Sequence, residues 1–142
     1  FTFELNEIIQ TDLKNVIPFV EKVSRKILEL TSMKEETFRI KLVLEEAITN
    51  AMRHGNHLDA RKNVKIKILA NELRILAEVT DEGEGFDFLN VADPTIKENS
   101  TRPGGRGVYL MREIMDEVKF YDGGRTVTMV QNFCKNDKNK KS

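Results

Sequence analysis

The chain has 142 residues, 39% hydrophobic and 32% charged. That balance excludes a disordered tract, and no apolar run approaches the roughly 20 residues of a bilayer span, so one globular domain without a membrane segment is expected. Lysine plus arginine total 23 and aspartate plus glutamate total 23, so no global field draws nucleic acid or an anionic membrane surface.

Phe1, Phe3 and Leu5 alternate with Thr2, Glu4 and Asn6, which predicts a first strand. This start lacks the basic and apolar parts of a secretory signal. The lone Cys134 excludes an internal disulfide and no Cys/His cluster has zinc spacing, so a cytoplasmic location is expected. After Thr11-Asp12, a pair suited to capping, Leu13, Val16, Ile17, Val20, Val23, Ile27 and Leu30 recur as on one helix face, with Pro18 counting against the first turns. A second helix opens at Lys34-Glu35-Glu36, carries Ile40, Leu44, Ala47, Ile48 and Ala51 inward, and stops at His54-Gly55-Asn56.

Val64, Ile66 and Ile68, then Leu73, Ile75, Ala77 and Val79, alternate on either side of Ala70-Asn71-Glu72 and predict a hairpin that runs into Asp81-Glu82-Gly83-Glu84-Gly85. From Asp87 to Arg102 the residues are polar and aperiodic, a length that suits a mobile lid. After Gly104-Gly105-Arg106-Gly107, the residues Val108, Met111, Ile114 and Met115 mark a short helix. Val118–Tyr121, a turn at Asp122-Gly123-Gly124 and a strand from Thr126 to Phe133 close the fold. This order predicts a two-layer α/β sandwich, its sheet mixed but mostly antiparallel, with the helices on one face. A single domain over 1–134 is expected, followed by a basic, flexible tail over 135–142.

Three clusters carry chemistry. Glu46, Asn50 and His54 share a four-residue spacing on the second helix, a stripe that would aim a carboxylate, an amide and an imidazole at one place, although such spacing equally describes a solvated face. Asp81-x-Gly83-x-Gly85 leaves a strand end: the carboxylate can accept from an exocyclic amine such as that of adenine, and the glycines would let ring and phosphates approach the main chain, or else form an ordinary turn. Gly104-Gly105-Arg106-Gly107 enters a helix, where free N–H groups and the positive end of the dipole suit a phosphate, or where flexibility merely eases packing. Neither a Walker motif nor a dinucleotide fingerprint is present.

In register, the three clusters resemble the nucleotide-binding boxes of the GHKL ATPases, whose ATP-binding domain has the Bergerat fold. Glu46-Ala-Ile-Thr-Asn50-Ala-Met-Arg-His54-Gly-Asn, Asp81-Glu-Gly-Glu-Gly-Phe86-Asp and Gly105-Arg-Gly-Val-Tyr-Leu-Met-Arg-Glu-Ile-Met-Asp116 are similar to those of the anti-sigma-factor serine kinases of bacterial partner switching, and the likeness spans nearly the whole chain. The resemblance implies Glu46 as general base and Asn50 as both nucleotide contact and Mg²⁺ ligand, with His54 on the nucleotide side. It implies Asp81 as reader of the adenine amine, with Gly83, Gly85 and Phe86 shaping the base pocket. Gly105, Arg106, Gly107 and Val108 would hold phosphate through main-chain groups, Arg102 and Arg106 would meet charge on the γ-phosphate, and Thr126 would join the aspartate and a water near the base. The implied activity is ATP-dependent phosphorylation of a STAS-domain anti-anti-sigma antagonist, together with sequestration of a sigma factor by a homodimer. A non-catalytic nucleotide-sensing module and an inert interaction domain are the competing readings.

Overall fold

The computed structural model describes residues 2–85 and 105–133. Phe86, the expected lid with Arg102, and the basic tail lie outside the described residues. In chain order the principal elements are β1 (Phe3–Gln10), α1 (Val16–Thr31), α2 (Lys34–Asn50), β2 (Asn63–Ala70), β3 (Arg74–Thr80), α3 (Gly105–Ile114), β4 (Glu117–Tyr121) and β5 (Thr126–Asn132).

β1 extends past the stretch whose alternation announces it, reaching Gln10. Glu7 occupies an inward-facing register there, and an ion pair with Lys22 of α1 makes that position tolerable for a carboxylate. Asp12 then accepts from the Lys14 N–H at 3.1 Å and starts a short 3₁₀ turn over Leu13–Asn15. Pro18 falls in the first turn of α1, where a missing N–H costs no helical hydrogen bond, so the helix forms despite it. Val16, Phe19, Val20, Val23 and Ile27 are its buried stripe, whereas Ile17, expected inward, is 51% exposed. α1 ends at Ser32, whose left-handed φ of 57° lets its N–H return to the Leu28 carbonyl at 2.8 Å.

α2 opens with Glu35 and Glu36 at the positive end of its dipole and buries Ile40, Val43, Leu44, Ala47 and Ile48. It does not stop cleanly. A wider π turn over Ala51–Gly55 continues it, closed by the Asn56 N–H on the Ala51 carbonyl at 2.8 Å.

The strands lie in the order β1-β2-β3-β5-β4, and among the described residues each of these pairings is antiparallel, with no parallel pair. Hairpin geometry at Asn71 follows from its side chain, which accepts from Leu73 N–H (2.7 Å) and Arg74 N–H (2.9 Å). Val64, Ile66, Ile68, Ile75, Ala77, Val79, Val127 and Met129 face the helices and are buried. Each large one stabilises the fold by about 1.5–3 kcal/mol on burial. Lys65, Lys67, Glu78 and Thr128 occupy the opposite, open face. Among the described residues no helix is long and apolar enough to cross a membrane.

Candidate functional site

The helices cover the sheet incompletely. Between the end of α2, the exit of β3, the start of α3 and the β4–β5 turn lies a cavity of about 270 Å³. Asn50 and His54 line it from α2 and its π turn, Asp81 and Gly85 from the β3 exit, and Val108 and Met111 from α3. Three stretches far apart in sequence thus converge on one space.

Backbone sterics explain the convergence. A Cβ at Gly55 would land on the Asp81 carboxylate, and one at Gly83 would land on the Gly55 carbonyl. The π turn and the β3 exit therefore meet at a distance only hydrogen side chains permit. Gly85 combines a left-handed φ of 87° with the Gly123 carbonyl lying where its Cβ would be. The Cβ positions of Gly83 and Gly85 are thus taken by protein backbone, while Gly85 still lines the cavity. On the far wall, a Cβ at Gly107 would overlap the Asn50 amide. That contact sets the Asn50 side chain beside the first turns of α3, whose free N–H groups carry the positive end of its dipole.

Asn56 secures the corner. Fully buried, it donates from Nδ2 to Thr11 Oγ1 (2.8 Å) and to the Asn63 carbonyl (3.0 Å), while its Oδ1 accepts from the Glu82 N–H (2.7 Å). Glu82 returns a carboxylate oxygen to the Asn63 N–H at 2.6 Å. Asp81 itself accepts from the Gly83 N–H at 2.8 Å and donates its own N–H to the Arg125 carbonyl at 3.0 Å. Partial burial pushes the Asp81 carboxyl above its ordinary value, opposed by that Gly83 hydrogen bond and by the charges of Arg125, Lys62 and His57. His54 moves the other way: lost hydration, then the charges of Arg53 and His57, hold it below the usual imidazole value.

The expected stripe is brought together in part. Asn50 and His54 reach the cavity, while half-buried Glu46 lies outside its wall, about 6 Å earlier along the helix axis. Gly105 and Arg106 start α3, followed by buried Gly107 and Val108. Thr126 departs from expectation. Its hydroxyl meets Thr80 Oγ1 at 3.0 Å across the β3–β5 ladder, on the sheet face opposite buried Val79 and Val127. Period-two alternation explains the difference, because a one-residue step reverses the face. Arg125, one residue earlier, lines the cavity in its place. The same alternation in Arg125, Val127 and Met129 was the signal that could have found it. Asn56 offered no comparable signal, since an asparagine after a glycine reads simply as a helix stop.

This geometry has relatives. Residues 9–131 match the model of the histidine kinase-like ATPase domain. The chain belongs to that family. Within it, the chain is 35% identical over 104 residues to the serine-protein kinase RsbW of Bacillus subtilis (strain 168), an alignment covering 68% of this chain and 65% of that protein. It is 33% identical over 99 residues to the RsbW of Bacillus velezensis, covering 65% and 62% of the two chains. With the RsbW of Staphylococcus aureus (strain MSSA476) the identity is 30% over 101 residues, covering 64% and 62%. The matched region thus spans just under two thirds of these curated relatives. In a histidine kinase-like ATPase domain the cavity is the place to look for nucleotide, and its walls hold Asn50, Asp81 and the start of α3 together.

Proposed function

We propose that this chain binds Mg-ATP in the cavity and acts as a serine protein kinase and anti-sigma factor. It transfers the terminal phosphate to a serine of a STAS-domain antagonist and sequesters a sigma factor when that antagonist is phosphorylated. The observation that carries the reading is the convergence of the Asn50 amide, the Asp81 carboxylate and the α3 N-terminal turns on one cavity, in a chain of this ATPase family.

Asp81 accepts from the exocyclic amine of adenine, and the N–H groups at Gly107 and Val108 receive phosphate oxygens. The protein's ligand to the metal would be the amide oxygen of Asn50, which lines the cavity beside the start of α3. That donor fits Mg²⁺, which keeps several waters and takes its remaining ligands from phosphate. When bound, Mg²⁺ neutralises charge on the phosphate oxygens. Glu46, one turn before Asn50 on α2, accepts the proton of the incoming hydroxyl in this reading. A homodimer and a cytoplasmic location complete the proposal.

Incubation with γ-labelled ATP, Mg²⁺ and a cognate STAS protein should transfer label to serine. Glu46→Ala should lower transfer by about 10²-fold or more while nucleotide affinity changes little. Nucleotide binding without transfer by the parent protein would favour a nucleotide-sensing module instead.

A further inference from the structure

Arg125 precedes β5 in the turn that follows β4, and both its main chain and its side chain grip the β3 exit. Its carbonyl accepts the Asp81 N–H at 3.0 Å, and its Nη1 donates to the Gly83 carbonyl at 3.4 Å. The guanidinium is itself anchored, with Nη2 donating to Asp122 Oδ1 at 2.7 Å and Nε to Oδ2 at 3.2 Å. Two parallel hydrogen bonds of this kind fix the plane of the guanidinium as well as its distance. The Gly123 carbonyl meanwhile lies against Gly85. The β4–β5 turn is thus laced to the β3 exit at Asp81, Gly83 and Gly85, and Arg125 still faces the cavity.

We propose that Arg125 is a positioning residue of the nucleotide cavity: anchored by Asp122, it holds the Asp81–Gly85 turn in place and sets a fixed positive charge opposite the Asp81 carboxylate. The proposal rests on the adenine-nucleotide reading of the cavity. An ionised carboxylate accepts from an exocyclic amine more strongly than a neutral carboxyl does, and partial burial works against ionisation of Asp81. The groups that favour its charged form are the Gly83 N–H, Arg125 from the β4–β5 turn, Lys62 ahead of β2 and His57 after the π turn. Of the cations, Arg125 alone is also bonded to the turn that carries Asp81, so its charge and the geometry of that turn are coupled. Arg125 is held above, and Asp122 below, their ordinary values by their mutual hydrogen bonds, so the anchor stays charged on both sides across the working pH range.

The test is an NMR titration of the Asp81 carboxyl in the full chain without nucleotide, beside binding of a non-hydrolysable ATP analogue at several pH values. Arg125→Gln should raise the Asp81 midpoint by about 0.5 pH unit or more, whereas Arg125→Lys, which keeps the charge, should raise it by less than half as much. Binding to Arg125→Gln should weaken ~10-fold at neutral pH, with the loss growing as pH falls, and Arg125→Lys should recover part of it. Asp122→Asn, which loosens the anchor without removing the cation, should shift the titration in the same direction by a smaller amount. An unchanged Asp81 midpoint in a folded Arg125→Gln chain, or equal weakening at every pH, would overturn the proposal. If Arg125→Gln fails to fold, the Arg125→Lys and Asp122→Asn titrations decide, and no shift in either overturns it. Absence of binding by the parent chain would sink the nucleotide reading, and the nucleotide role of Arg125 with it. Binding by the parent with an unmoved titration would sink the Arg125 proposal alone.

Discussion

The two ends of α2 are held by different means. At its start Met33 is extended and supplies no side-chain cap, and Phe38 one turn later is 63% exposed. At its end the helix widens into the π turn, presses Gly55 onto Asp81, and hands over to an asparagine that is completely buried and bonded to three separate segments. One helix therefore joins an end held by its neighbours Thr31 and Thr37 to an end pinned by three distant segments, and the pinned end is the one that meets the cavity. Long-range hydrogen bonding is concentrated at the end beside the cavity, and local bonds hold Met33 at the other.

The contrast can be broken or sharpened by substitution. Asn56→Ala should have the largest effect, because it leaves the buried Thr11 hydroxyl and the part-buried Glu82 N–H and Asn63 carbonyl without their partner. A loss of ~3 kcal/mol in urea unfolding is expected, and a loss under 1 kcal/mol would show that water replaces the amide. Gly107→Ala should leave stability nearly unchanged, since alanine suits a helix, yet displace the Asn50 amide and weaken Mg-ATP binding by ~10-fold in calorimetry. A wild-type affinity would mean that Asn50 moves freely.

His54 provides a smaller, pH-dependent test. Its folded-state pKa lies below the unfolded value near 6.5, so between the two the unfolded chain binds more protons. Its contribution to stability is therefore intact above the unfolded value and lost as pH falls toward the folded one. His54→Gln should flatten the decline of Tm as pH falls below about 6.5. A parallel decline in parent and variant would assign it to other groups; Asp81, with its pKa raised, contributes in the opposite sense. Phe38→Ser, at an exposed position in the first turns of α2, should change stability by no more than about 0.5 kcal/mol.

Much of this fold was legible in the sequence because its elements are amphipathic with clean periods. Val64, Ile66 and Ile68 announce β2 by simple alternation, and Val20, Val23 and Ile27 announce α1 at three- and four-residue steps. Periodicity is a property of one element facing one core, however, and it says little about where two loops touch. The π turn after Asn50 left no trace in the hydrophobic pattern, because one extra residue at a helix end is absorbed without moving the buried stripe. The burial of Asn56 depends on Thr11, Asn63 and Glu82, partners from three other segments, which local reading cannot bring together. The exchange of Thr126 for Arg125 on the cavity wall has a different origin: a motif fixes a residue's place only to within a position, while a strand reverses direction at every one. Asn50, His54 and Asp81 were readable because each sits at an element's end, where sequence motif and three-dimensional position coincide.

Because Asn50 and Asn56 belong to one continuous coil and the turn that completes it, the interval between the Asn50 amide and the corner that fixes Asp81 is set by main-chain hydrogen bonds rather than by whatever occupies the cavity. The coil works as a ruler. Whatever enters the cavity meets a spacing between Asn50 and the Asp81 corner that the backbone has already fixed.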